Sequence, residues 1–148
     1  MRAAVCSDDD RLARRQQPGS APLSPAARFP KATLDALDEA KILGVRSGDE
    51  HRFTGVWVVV VGGRVFARSW SDKPTGWYRA FVADPEGALQ LPGGRAKRVR
   101  AKKVRGERLL DSIDAAYAEK YDTPASLKWV RGFREARRRA TTLEFVPR

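Results

Sequence analysis

The sequence predicts a small α+β barrel. Three observations predict it. Short β-branched runs are joined by tight glycine turns, Gly62-Gly63 and Gly93-Gly94, rather than by βαβ spacing, which argues for an antiparallel sheet. A clear amphipathic helix follows the strands. A last β-branched segment, "ATTLEFVPR", then returns and closes the sheet.

Each element has its own signal. "QQPGSAPLSP" is rich in Pro, Gly, Ser and Gln without an apolar period, so residues 1–30 read as a disordered tail. "KATLDALDEAK" reads as a short helix with Leu34 and Leu37 on one face and Thr33 as N-cap. "ILGVRSG" is a short strand. Val56 to Val61 and Arg64 to Trp70 form a hairpin about Gly62-Gly63, the first strand apolar on both faces. "WYRAFVADPEG" reads as one helical turn showing Trp77, Phe81 and Val82, ended by Asp84-Pro85 and Gly87. "ALQL" is a strand, "PGG" a turn and "RAKRVRAKKV" a basic strand.

Leu109, Leu110, Ile113, Ala116, Tyr117 and Tyr121 recur at helical spacing over 107–121. Thr123-Pro124 starts a second helix with Leu127, Val130 and Phe133 as its stripe, ending in Arg137-Arg138-Arg139, a charge run that suits a helix C-terminus. The expected order is therefore helix, four to five strands, two helices, strand, forming one domain over 31–148.

Charge narrows the partners. The chain of 148 residues carries a net charge of +11, which suits an anionic partner: nucleic acid, an anionic membrane surface or an anionic cofactor. One cysteine, Cys6, excludes an internal disulfide, and with one histidine, His51, little remains for a metal site. No apolar run approaches the roughly 18 residues of a membrane span, and a cytoplasmic protein is the expectation.

No Ser-His-Asp set, phosphate-binding P-loop or dinucleotide fingerprint appears. What remains is a set of basic and hydroxyl residues at element ends: Arg46, Ser47 and Arg52 before the hairpin, Arg68 and Ser69 at its end, then Lys73 and Arg79. Guanidinium, ammonium and hydroxyl groups are what a phosphate or carboxylate requires. The plain alternative is a solvated basic rim. Arg68 and Ser69 point to opposite faces of a regular strand, so both reach one ligand only where the strand ends or bends. The basic strand holds most of the eight basic residues between Arg95 and Arg108 and reads either as a nucleic-acid face or as a solvated outer strand; aromatics are not interleaved with its charges. Tyr117 and Tyr121 share a helical face, where core packing with hydrogen-bonded phenols is the leading reading.

From about Leu34 to Arg148 the chain resembles the bacterial family named domain of unknown function 2255. The Trp-Val-Val-Val-Val hairpin with "VFARS", then "WYRA", "DAAYAEKY" and "ATTLEFVPR" carry the resemblance. That name implies no activity. The arrangement is also similar, more loosely, to the split β-barrels that bind FMN or the deazaflavin coenzyme, the deazaflavin-dependent nitroreductases among them. Their Gly-Arg-Lys-Thr-Gly…Arg loop is similar to "GVRSGDEHR", with Arg46 at the Lys position, Ser47 at the Thr and Arg52 at the later Arg. "ARSW…GWYRAFVADP" is similar in Ser69, Trp77, Tyr78 and Asp84-Pro85. The loop here is one residue longer, Val45 replaces the first Arg, and Ala80 stands where the family has Asn.

The resemblance implies an antiparallel split β-barrel, FMN-binding-like, with an N-terminal short helix and two helices before the last strand. It implies FMN or deazaflavin as cofactor, with Arg46, Ser47, Arg52, Arg68, Ser69, Lys73 and Arg79 around its phosphate and Trp77 and Tyr78 near its ring. It further implies a homodimer and a reductase of unstated substrate. The alternative is a small basic domain binding nucleic acid or another small anion without catalysis.

Overall fold

A single strand closes the barrel by changing partners halfway along. The computed structural model describes residues 28–148; Cys6 and residues 1–27 of the expected tail lie outside the described residues. Its elements are α1 (Lys31–Glu39), β1 (Leu43–Ser47), β2 (Thr54–Val56), β3 (Val58–Val61), β4 (Arg64–Ala67), α2 (Trp77–Ala83), β5 (Glu86–Gln90), β6 (Ala96–Lys103), α3 (Glu107–Lys120), α4 (Pro124–Gly132), α5 (Ala136–Arg139) and β7 (Leu143–Pro147). The strands form one antiparallel sheet in the order β2-β1-β5-β6-β7-β4-β3. The end strands β2 and β3 are neighbours in sequence, separated by Trp57 alone. Before Trp57 the chain pairs with β1, Val56 facing Leu43; after it the chain pairs with β4, Val58 facing Ala67. The expected continuous hairpin strand is thus split at Trp57, and the barrel is nearly closed with one seam there.

The apolar run of β3 is explained by two cores. Val58, Val65, Ala67 and Phe145 pack inside the barrel with Leu43, Val45 and Leu89. Val59 and Phe66 face outward and are covered by Ile113, Tyr117, Tyr121, Val130 and Phe133 of the helical layer. Alternation along the strand therefore leads from one apolar environment to another, with Val58 and Val59 fully buried and Val60 and Val61 partly so. Gly62 and Gly63 take φ of 58° and 77°, the left-handed region that a two-residue hairpin turn requires.

Several expectations shift locally. Phe29, placed by composition in the tail, is buried against the barrel core. The N-cap of α1 is Pro30, and Thr33 lies within the helix. The turn after the hairpin extends to seven residues, and α2 buries Tyr78 and Phe81 while Val82 is exposed. Residues three apart, 78 and 81, share the inward face. Gly87 belongs to β5 rather than to a helix end, and a Cβ there would lie 2.1 Å from the Arg46 carbonyl oxygen. The last helix divides at Gly132. Its arginine run forms α5, where Arg139 donates to Glu107 (3.2 Å) and Asp111 (2.7 Å) of α3 and braces the two helices.

On β6 Val99 and Ala101 point into the barrel and Arg98, Arg100 and Lys102 point out, the alternation expected of a charged outer face. No helix among the described residues is long and apolar enough to cross a membrane.

Candidate functional site

The seam is held open by two phenols. Extending the β3–β4 register by one rung places Trp57 opposite Arg68. The Tyr117 hydroxyl stands between them, donating to the Trp57 carbonyl (2.9 Å) and accepting from the Arg68 amide (3.0 Å). Tyr121 treats the next residue similarly: its hydroxyl accepts from the Val58 amide (3.1 Å) and donates to the Lys41 carbonyl (2.7 Å). The Trp57 and Lys41 carbonyls and the Arg68 and Val58 amides thus find partners at the seam, as buried main-chain groups require. Burial holds the Tyr117 phenol well above its ordinary value and pushes Tyr121 up to about 12. These are structural phenols, in agreement with the packing reading of this pair.

A cavity of about 440 Å³ opens at the seam. Trp57, Trp70, Trp77 and Trp129 all line it, and these are the only four tryptophans in the chain. Phe133, Ile42 and Val56 add apolar wall, and Arg68 is its one charged neighbour. Trp57 is stacked on Tyr121 with centroids 4.1 Å apart and planes 3° from parallel. Trp70 is fixed from three sides. Trp129 meets it edge-on at 4.8 Å, the Arg138 guanidinium lies 3.5 Å from its ring centre, and Arg138 Nε donates to its carbonyl at 2.8 Å. Gly132 makes that position available, because a Cβ there would stand 2.3 Å from the indole. Ile42, Trp70 and Trp129 remain partly exposed at the mouth.

The nine residues expected around one cofactor, seven at its phosphate and two at its ring, are dispersed. Arg68 and Trp77 reach the cavity. Arg68 does so as a buried strut: its guanidinium donates to Thr142 Oγ1 (2.7 Å), the Phe133 carbonyl (3.0 Å), the Leu110 carbonyl (3.1 Å) and the Asp114 carboxylate. Most of its donors are therefore spent on the protein. The Ser47 hydroxyl is buried and within reach of the carbonyls of Asp84 (2.7 Å) and Ala80 (3.0 Å), so it ties β1 to α2. The Ser69 hydroxyl faces the main chain of Ser71. Tyr78 points into the barrel core. Arg52 and Lys73 are exposed, and Arg79 is exposed and paired with Asp72 at 2.7 Å. Arg46 lines a different depression, with Ala88 and Arg98.

Trp57, Trp70 and Trp129 were not expected in the site, nor was Arg138. They come from the seam, a loop and α4, with no common spacing to link them. The one local sign is on α4, where the expected stripe buries Val130 and Phe133 but leaves Leu127 and Trp129 partly exposed. Among the described residues no group of three or more His, Cys, Asp or Glu is placed to hold a metal ion.

The chain matches the model of a family described as an uncharacterized protein conserved in bacteria (DUF2255) over residues 32–145. No curated protein matches it. Among solved structures, it is similar to a conserved hypothetical protein from Mycobacterium tuberculosis, with a TM-score of 0.51 at 14% identity, covering 83% of this chain and 82% of the other. That likeness shows the fold. Weaker likenesses are to an FAD-binding protein from Mesorhizobium loti (TM-score 0.47, 12% identity, 78% and 86% covered) and a heme binding protein from Mycobacterium smegmatis (0.44, 16%, 81% and 52%).

Proposed function

Because the chain belongs to the DUF2255 family, whose description carries no activity, its function is read from the seam cavity, and we propose that it binds a planar aromatic redox cofactor there, a flavin or the deazaflavin coenzyme. One observation carries this reading: all four tryptophans, scattered through the sequence, line one cavity. Its volume falls within the roughly 300–1,000 Å³ of small-molecule sites, and its walls are the apolar and aromatic surfaces such sites use. Indole faces and edges suit a flat conjugated ring, each well-placed aromatic pair contributing about 0.5–1.5 kcal/mol. Buried Arg68, rigidly held and ion-paired with Asp114, is the one charged side chain of the lining and would set a polar edge against an otherwise apolar wall.

The fit is good for a ring and poor for the phosphate set expected from the sequence, since Ser69 and most of Arg68 are engaged internally. When bound, such a cofactor supplies hydride transfer, and the protein supplies orientation, water exclusion and charge. Trp70, fixed by Arg138 and Gly132, sets one wall; Trp57, fixed by Tyr121, sets another. A reductase role follows only from the nature of such cofactors. The homodimer carried by the resemblance is supported by the exposed Ile42, Trp70 and Trp129 at the mouth, which a second copy would cover.

The test is titration of FMN and of the deazaflavin coenzyme while tryptophan fluorescence is followed. Saturable quenching supports the reading. Absence of quenching by either ligand at ~100 μM removes it, because an affinity weaker than that is too low for a resident cofactor.

A further inference from the structure

The cavity continues along the outside of the barrel. Ile42 and Gly55, which line it, also line a neighbouring depression of about 440 Å³ together with Gly44 and Phe53. Gly44 faces Gly55 across one strand pair and Gln90 across the other. Two adjacent positions of the sheet therefore lack a side chain, and the side chains of Gln90, Phe53 and Ile42 pack close over them and wall the depression. Burial of Leu43, Val45 and Ser47 puts Gly44 and Arg46 on the same outer face. One rung pair further on, Arg46 faces Ala88 and Ala88 faces Arg98. The Arg46 guanidinium lies 4.4 Å from the centre of the Phe53 ring, and it joins the second depression to a third of about 520 Å³ lined by Arg46, Asp49, Ala88 and Arg98.

Charge in this third segment is unspent. Arg46 Nε is buried without a hydrogen-bond partner among the described residues. Neither Arg46 nor Arg98 has an ion pair among the described residues, whereas Glu86 on the same floor is already held by Arg100 and by Arg148 (3.2 Å). Asp49 is the one remaining carboxylate of the lining.

We propose that this groove receives the phosphorylated tail of the ligand whose ring occupies the tryptophan cavity, the phosphate lying between Arg46 and Arg98. The proposal rests on the cavity reading above. Two guanidinium groups from strands two spacings, about 10 Å, apart can each present paired N–H donors to phosphate oxygens. From Ile42 to Arg46 the groove runs four extended residues, about 13 Å. The ligand class is therefore an aromatic ring carrying a long, phosphate-bearing tail, as in a flavin dinucleotide or the deazaflavin coenzyme. A short monophosphate arm leaves the far segment unfilled.

The experiment titrates riboflavin, FMN, FAD and the deazaflavin coenzyme into the protein and into Arg98→Ala and Arg98→Glu, reading tryptophan quenching and a thermal melt. Arg98 is exposed, so both variants are expected to melt like the parent. The expected result is that a long-tailed ligand binds at least about ten-fold tighter than riboflavin. That gain falls in Arg98→Ala and disappears in Arg98→Glu, while riboflavin affinity is unchanged. Equal affinity for riboflavin and both long-tailed ligands, or a gain that survives Arg98→Glu, overturns the tail site and leaves the ring cavity standing. If none of the four ligands quenches, the cavity reading falls and the tail site falls with it.

Discussion

The Arg68 amide donates to the Tyr117 hydroxyl at 3.0 Å, where a continuous hairpin would have given it to the carbonyl of Trp57. One phenol, delivered by a helix 49 residues later in the chain, thus replaces a rung of the sheet. The opened seam is where the tryptophans gather, so the same contact that completes the fold also creates the cavity.

Replacing Tyr117 by Phe leaves the Trp57 carbonyl and the Arg68 amide without their bridging partner. Burial without a partner costs about 1–3 kcal/mol for each such group. The expected outcome is a lower denaturant midpoint with an unchanged slope. A Tyr117→Phe protein as stable as the parent would show that the seam closes on its own.

Arg68→Ala is expected to act on stability before it acts on binding. It removes the donor partner of two main-chain carbonyls, Thr142 and Asp114 together. Breaking a buried charged pair costs about 3–5 kcal/mol. Chemical denaturation reads this directly. A variant that keeps parental stability would return Arg68 to the role of ligand-binding cation.

Gly132→Ala separates the wall of the cavity from the rest of the fold. The added Cβ drives the Trp70 indole away from Arg138 and Trp129. Tryptophan emission is expected to shift and ring affinity to fall by about ten-fold, more than the melt changes. Gly87→Ala is the matched control. It collides with the Arg46 main chain on β1, a collision that rigid backbone cannot relieve cheaply, and is expected to lower the melt by well over 1 kcal/mol equivalent, typical of overpacking at about 1–3 kcal/mol.

Alkaline pH is expected to raise stability and then lower it. Lys120 donates to the carbonyls of Leu37 (3.0 Å) and Val58 (2.8 Å), and burial pushes its ammonium down to about 8 from 10.5. The unfolded chain holds that proton up to about 10.5, so between about 8 and 10 it binds more protons than the folded chain and stability rises with pH. Above about 10 the buried phenols reverse the sign. Tyr121, raised to about 12, and Tyr117, raised further, stay protonated when folded but ionise when unfolded near 10, so stability is lost. Melts of the parent and Lys120→Met across pH 7–11 check it: the rise belongs to the parent alone, the fall to both.

Size-exclusion chromatography with light scattering checks the covering of the mouth. A dimer that dissociates in Trp129→Glu is expected. A monomeric parent removes the second copy from the mouth.

Much of the fold was legible because it is written in local patterns. Gly62-Gly63 marks its turn, the 107–121 stripe marks α3, and the alternation of "LEFVP" marks β7, since side-chain period and left-handed glycine are properties of a few neighbouring residues. The apolar β3 was recognisable as buried on both faces, and the pairing of Tyr117 with Tyr121 on one helix face was plain. The candidate site was less legible. Residue type marks Arg68 and Ser69 as anion ligands, yet whether a guanidinium meets a ligand or a carbonyl depends on what another element brings to it. Thr142, Leu110 and Phe133 are far away in sequence.

Local patterns in the chain set the strand and helix inventory, the antiparallel pairing and the basic outer strand. Tertiary structure alone decided three things: the break at Trp57, the gathering of four tryptophans at that break, and the internal use of Arg68. The physical reason is that periodicity is set by bonds along the chain, whereas a cavity is set by what the closure of the sheet fails to fill. That failure arises here between residues 57, 68 and 117, which no local pattern connects.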